Sequence, residues 1–131
     1  MEDEAYSNSG RGRLPRISCE LILAFSADED LSEIIAMLGI DEDPHATNEG
    51  TVELSCGAIK DMEAWAVDAA VSMLLSSVNI DAILDIQKCH TCQCILDVWF
   101  YHHLTFPSII FEGNNMRILR LLNADICIDP Y

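Results

Sequence analysis

The sequence predicts a single α+β domain, a mainly antiparallel sheet with three helices packed on it. Three observations carry this expectation. Apolar residues alternate from Arg16 to Phe25, which is the period of a strand with one covered face. Leu31, Ile34, Ile35 and Leu38 follow the i, i+3, i+4, i+7 spacing of an amphipathic helix. A chain of 131 residues, half of them apolar, has room for one core and not two.

Residues 1–15 are polar and close at Pro15, so they read as a flexible tail before a domain covering 16–131. In the first strand Ile17, Cys19, Leu21, Leu23 and Phe25 share one face, and Ser18, Glu20, Ile22 and Ala24 the other. Asp30 then suits a helix cap, with Glu33 three residues on to complete a capping box, and Gly39 sits where a left-handed C-terminal residue belongs. Residues 40–50 form an acidic loop with Pro44 and His45. Val52 and Leu54 alternate with polar neighbours in a short strand, Thr51 to Cys56, which Gly57 is expected to end.

Lys60 to Val78 reads as the longest helix, about 27 Å at 1.5 Å per residue. Ala64, Val67, Val71, Leu74, Leu75 and Val78 form its buried stripe, and Asp61, Glu63 and Asp68 its outer face. Ile80 to Gln87 and Ile95 to Tyr101 read as two strands of a central hairpin whose tip carries Cys89, His90, Cys92 and Cys94. An apolar run, Ser108 to Phe111, leads to a third helix, Asn115 to Leu122. Met116, Leu119 and Leu122 are expected to face inward and Asn123 to cap its end. Asp125 to Asp129 alternates and ends the chain as a strand. The expected order is β-α-β-α-β-β-(β)-α-β, a ferredoxin-like variant.

The net charge is −15, from 22 acidic and 7 basic residues. Such a surface repels nucleic acid and anionic lipid and speeds encounter with basic proteins. Direct nucleic-acid binding needs clustered Lys or Arg, and only Arg11, Arg13 and Arg16 cluster. No apolar run approaches the roughly 20 residues that span a bilayer. The acidic N-terminus is not an export signal, so the cytoplasm is the expected location. There the six cysteines are expected as free thiols, with Cys19, Cys56 and Cys127 as small core residues.

Cys89, Cys92 and Cys94 suggest a zinc or redox tip. A structural zinc site wants four ligands, however, and no second C-x-x-C exists. His102 and His103 lie at the far end of the following strand, on opposite faces of it, so neither completes a site at the tip. Hairpin thiols are the preferred reading, with no metal and no cofactor. No nucleophile elbow, dinucleotide fingerprint or P-loop is present, and no carboxylate pair stands out, so the chain reads as no enzyme. What remains is the acids as a surface. Asp28, Glu29, Asp30, Glu33, Asp41, Glu42 and Asp43 bracket the first helix with no Lys or Arg among them. Asp61, Glu63 and Asp68 form a second patch. Both sets are the expected contacts for a cationic protein.

Several stretches carry a resemblance. They are the short helix ending Met37-Leu38-Gly39-Ile40, the Pro107-Ser108-Ile109 approach to the last helix, and the ending Leu122 to Tyr131. Over residues 16–131 the chain resembles the bacterial family catalogued as domain of unknown function 4279, whose members have no established catalytic residues to carry over. Small acidic α+β domains of this kind are also similar to the immunity proteins of bacterial toxin systems, including contact-dependent inhibition. That resemblance implies a partner: a cognate toxin domain, often a basic nuclease, whose active site is occluded. A nucleic-acid mimic such as an anti-CRISPR protein is the alternative binding role.

Overall fold

A computed structural model describes residues 14–101 and 106–130. The elements are β1 (Arg16–Ser26), α1 (Ser32–Leu38), β2 (His45–Ala46), β3 (Thr51–Glu63), α2 (Val67–Ser77), α3 (Ile80–Cys89), β4 (Gln93–Tyr101), α4 (Gly113–Leu121) and β5 (Ala124–Pro130). The strands form one sheet in the order β2-β3-β1-β4-β5. β1 pairs antiparallel with both β3 and β4, β2 with β3 likewise, and β5 runs parallel to β4. The sheet is therefore mixed, and among the described residues it carries four helices rather than three.

The alternation in β1 produces the two faces foreseen. Ile17, Cys19, Leu21, Leu23 and Phe25 are at most 1% exposed, and Leu96, Val98 and Phe100 of β4 continue the same face. Ile34 and Leu38 of α1, Val71 and Leu74 of α2, Ile83 and Ile86 of α3, and Leu119 of α4 all join that one core. All four helices thus lie on one side of the sheet. α1 stops where expected, at Gly39 with φ 65°, whose N–H reaches the carbonyls of Ile35 and Ala36. The capping box does not close: Asp30 Oδ1 accepts the Ser32 N–H at 3.1 Å, but Glu33 lies beside His90.

The central hairpin is not formed. Ile80–Cys89 is a helix, because Asn79 Oδ1 accepts the Ala82 N–H at 3.1 Å and Asp81 stands in the first turn. Ala82, Ile83 and Ile86 are buried on one side of it. The expected helix over Lys60–Glu63 is strand instead. β3 runs on past Gly57 to Glu63, with irregularities in its register opposite Leu21–Ile22 and Ile17–Cys19. At the second of these Asp61 takes φ 58°, and its N–H is bound by Ser18 Oγ at 2.9 Å. The bulge stretches the spacing of the core-packed Ile59 and Met62 from two residues to three, which imitates a helical period. Gly57 lies where a Cβ would stand 2.6 Å from Val78 Cγ1, so it admits the end of α2 against the sheet and does not end the strand.

The run Ser108–Phe111 makes a single parallel bridge, Ser108 to Ala66, and no strand. The β4-α4-β5 unit explains the parallel pair, since parallel neighbours need a crossover. β4 and β5 are adjacent, whereas a ferredoxin-like arrangement would split them. Met116 is exposed rather than inward, and Asn123 caps α4 with φ 53° as expected. Pro15 is buried and its carbonyl accepts the Ala64 N–H at 3.1 Å, so the domain takes in the end of the expected tail. Residues 1–13, His102 and His103 lie outside the described residues. Among those described, no single helix is long and apolar enough to cross a membrane.

Gly57→Ala is expected to cost about 1–3 kcal/mol in urea unfolding, because stiff, β-branched Val78 cannot swing aside cheaply. In a Val78→Ala background the same change should cost distinctly less. Equal costs in both backgrounds would remove the close-packing role of this glycine.

Candidate interaction surfaces

Of the seven acids of the expected lobe, Asp28, Glu29 and Asp30 are engaged by local structure. Asp28 accepts a hydrogen bond from Ser26 Oγ, and Asp30 holds the Ser32 N–H; both bonds draw these carboxyls below their ordinary pKa. Glu29 Oε2 lies 2.9 Å from His90 Nδ1, which ties the end of α3 to the approach of α1. Glu33, Asp41, Glu42 and Asp43 are exposed.

The second expected patch is dispersed. Asp61 and Glu63 sit on β3, not on a helix, and both hold Arg16: Nε to Asp61 Oδ1 at 2.5 Å and Nη1 to Glu63 Oε2 at 3.1 Å. Asp68 is 8% exposed and faces inward. Its Oδ1 accepts the Glu112 N–H at 2.9 Å and Asn115 Nδ2 at 2.8 Å, fastening the start of α4 to the first turn of α2. It is a structural residue and offers no surface to a partner. An acid in the first turn of a helix carries no sequence mark that separates a solvated position from a buried clamp.

The cysteine tip disperses as well. Cys89 is exposed at the end of α3, Cys92 is half-buried, and Cys94 is 2% exposed within the core face of β4. Burial raises the Cys92 thiol and pushes Cys94 up to about 12, so neither is an activated thiolate. Cys19 and Cys56 are core residues as expected, whereas Cys127 is exposed on β5.

The arrangement that sequence reasoning missed is the sheet's other face, which carries none of the four helices. Register sets Glu20 beside Asp97, Asp97 beside Cys127, Trp99 beside Asp129, Ile22 beside Ile95, and Ala24 beside Glu53. The result is a half-buried centre of Ile22, Ile95 and Trp99 among Glu20, Glu53, Asp97, Asp125 and Asp129. Arg16 and, by strand alternation, Lys60 stand at its Ser18–Trp99 end, and Arg16 is held by Asp61 and Glu63. Asp125 Oδ2 accepts Gln93 Nε2 at 2.6 Å, and Asp129 Oδ2 accepts the Cys127 thiol at 3.5 Å. Asp97 Oδ1 is buried without a hydrogen-bond partner. Burial raises its carboxyl pKa first, and the negative charges of Asp129, Glu20 and Glu53 raise it further. Among the described residues, one ligand atom from each of Asp97, Cys127 and Asp129 lies within 4.8 Å of the others, close enough for the three to share a cation. The signal was present in the polar positions of four strands, but it becomes one surface only when β3, β1, β4 and β5 are known to be neighbours.

Asp68→Ala should destabilise by about 1–3 kcal/mol, since the Glu112 N–H and the Asn115 amide lose a buried acceptor. Thermal unfolding that stays unchanged would contradict the clamp. Asp97→Asn should raise the Tm at neutral pH. Because the folded-state pKa of Asp97 is raised, its contribution to stability is full below the unfolded-state value and is lost as pH rises through the folded one. The gain from the amide should therefore shrink towards zero as pH falls below the ordinary aspartate range. A Tm difference independent of pH would rule out charge as its cause.

Comparison with family models, with curated proteins and with solved structures finds no match.

Proposed function

We propose that this chain is a non-catalytic binding protein of the immunity kind, which neutralises a cognate cationic bacterial toxin domain. A basic nuclease is the toxin class whose surface chemistry fits best. Charge carries the reading. A net charge of −15 is gathered in part on the lobe around α1 and in part on the helix-free face of the sheet, where carboxylates outnumber cations. A nuclease presents Lys and Arg to phosphate, and clustered carboxylates on a rigid frame meet the same groups with opposite charge. The zinc or redox alternative has less support, because Cys89, Cys92 and Cys94 differ in burial and the two nearest the sheet have raised thiol pKa values.

Co-expression is the test. The protein should protect a bacterial host from the toxin domain encoded beside it and form a stable complex with a catalytically inactive version. Association should slow by about tenfold or more between low and physiological salt in stopped-flow mixing, as steered encounters do. A toxin that keeps full activity in excess of this protein would overturn the reading. Protection against a nucleic-acid-processing assembly instead would move the function to mimicry.

A further inference from the structure

We propose that the partner docks on the helix-free face of the sheet, and that a segment of the partner bearing arginine or lysine lies across Glu20, Glu53, Asp97 and Asp129. This rests on the reading of the protein as an inhibitor of a cationic partner and names the surface that does the work.

The two acidic surfaces differ in what their carboxylates already do. On the lobe, Asp28 and Asp30 close local turns and Glu29 is engaged by His90, while Asp41, Glu42 and Asp43 are exposed to solvent rather than set against an apolar centre. On the sheet face, among the described residues, Glu20, Glu53 and Asp97 have no side-chain hydrogen bond or ion pair, Asp97 Oδ1 is buried, and Asp129 accepts only the weak Cys127 thiol. Neighbouring carboxylates there raise each other's electrostatic cost, and a cation from outside relieves several at once. The chemistry between them suits long basic side chains. Ile22 and Ile95 offer apolar contact to aliphatic stems, and the half-buried Trp99 offers an indole to a guanidinium. Position adds to this. Glu20, Glu53 and Asp97 stand on β1, β3 and β4, the three interior strands of the sheet, so these acids are held in place before a partner arrives, and Asp129 adjoins them from the edge strand β5. Charge complementarity, an unpartnered carboxylate oxygen and a fixed apolar centre converge on one occupant.

The test uses a fluorescein-labelled oligo-arginine peptide as the probe and the full chain in three forms. These are the wild type, a face variant (E20Q/E53Q/D97N/D129N) and a lobe variant (D28N/D30N/D41N/D43N). Both variants remove the same formal charge, so a general field effect cancels between them. The face variant should bind the peptide at least about tenfold more weakly, and the lobe variant within about threefold of wild type. Backbone amide shifts of the wild type with peptide should move in β1, β4 and β5. This mapping decides the matter without any variant, should the fourfold change fail to fold. Shifts confined to α1 and residues 41–43, equal losses in both variants, or no binding would overturn the proposal. Zinc or calcium alone moving the same amides, with the peptide unable to compete, would make the face a metal site and overturn it too. If the peptide maps to the lobe while toxin protection holds, the docking surface is wrong and the inhibitor reading stands. If it maps to the sheet while protection fails, the face stands and the inhibitor reading falls.

Discussion

The structure depends on β1. It pairs along nearly its whole length with β3 on one side and β4 on the other, so its register fixes which residues of these three strands share a face. Because every second residue from Ile17 to Phe25 is apolar and fully buried, one face of the sheet is committed to the core. A slip of one residue would put Glu20 into that core and Leu21 into water. The cost of such a slip, several large apolar side chains exposed at about 1.5–3 kcal/mol each, holds the register. The four helices follow from this commitment, since each supplies an apolar stripe to the side β1 has chosen.

The elements whose period lay wholly within one segment were legible in the sequence. β1, α1 with its Gly39 end, α4 with Asn123, and β5 all stand within a residue or two of expectation. The two largest departures have different causes. In Ile80–Cys89 the apolar residues suit either period, and the decision lies with the cap at Asn79, a hydrogen bond to Ala82 that weighs more than the β-branched isoleucines. In Lys60–Glu63 a bulge converts a strand's spacing into a helix's, and only the length of β1 demands that β3 continue to pair. Asp68 shows the same limit at a single residue: a partner 44 positions away in sequence, Glu112, decides that it is a clamp and not a surface.

Site residues were legible to the extent that their neighbours were close in sequence. The lobe was found because its acids are consecutive, and consecutive acids at a helix start are those most readily consumed by turns and caps. The sheet face was missed because its acids come from β1, β3, β4 and β5, brought together by pairings that no local pattern encodes.

An uncovered sheet face needs polar residues, and alternation supplies them without any functional demand. What alternation does not demand is a single sign. Cross-strand pairs gain from opposite charges and lose from like ones, so a face shaped by folding alone would interleave Lys or Arg with its acids. Here Glu20 stands directly beside Asp97, and Asp97 within reach of Asp129, while Arg16 and Lys60 stand at one end. β1 and β4 carry this repulsion at the centre of the sheet, where the frame is strong enough to bear it. A stability cost placed on the interior strands, and met among the described residues by Arg16 and Lys60 at one end alone, is what a surface organised for a positively charged partner would show.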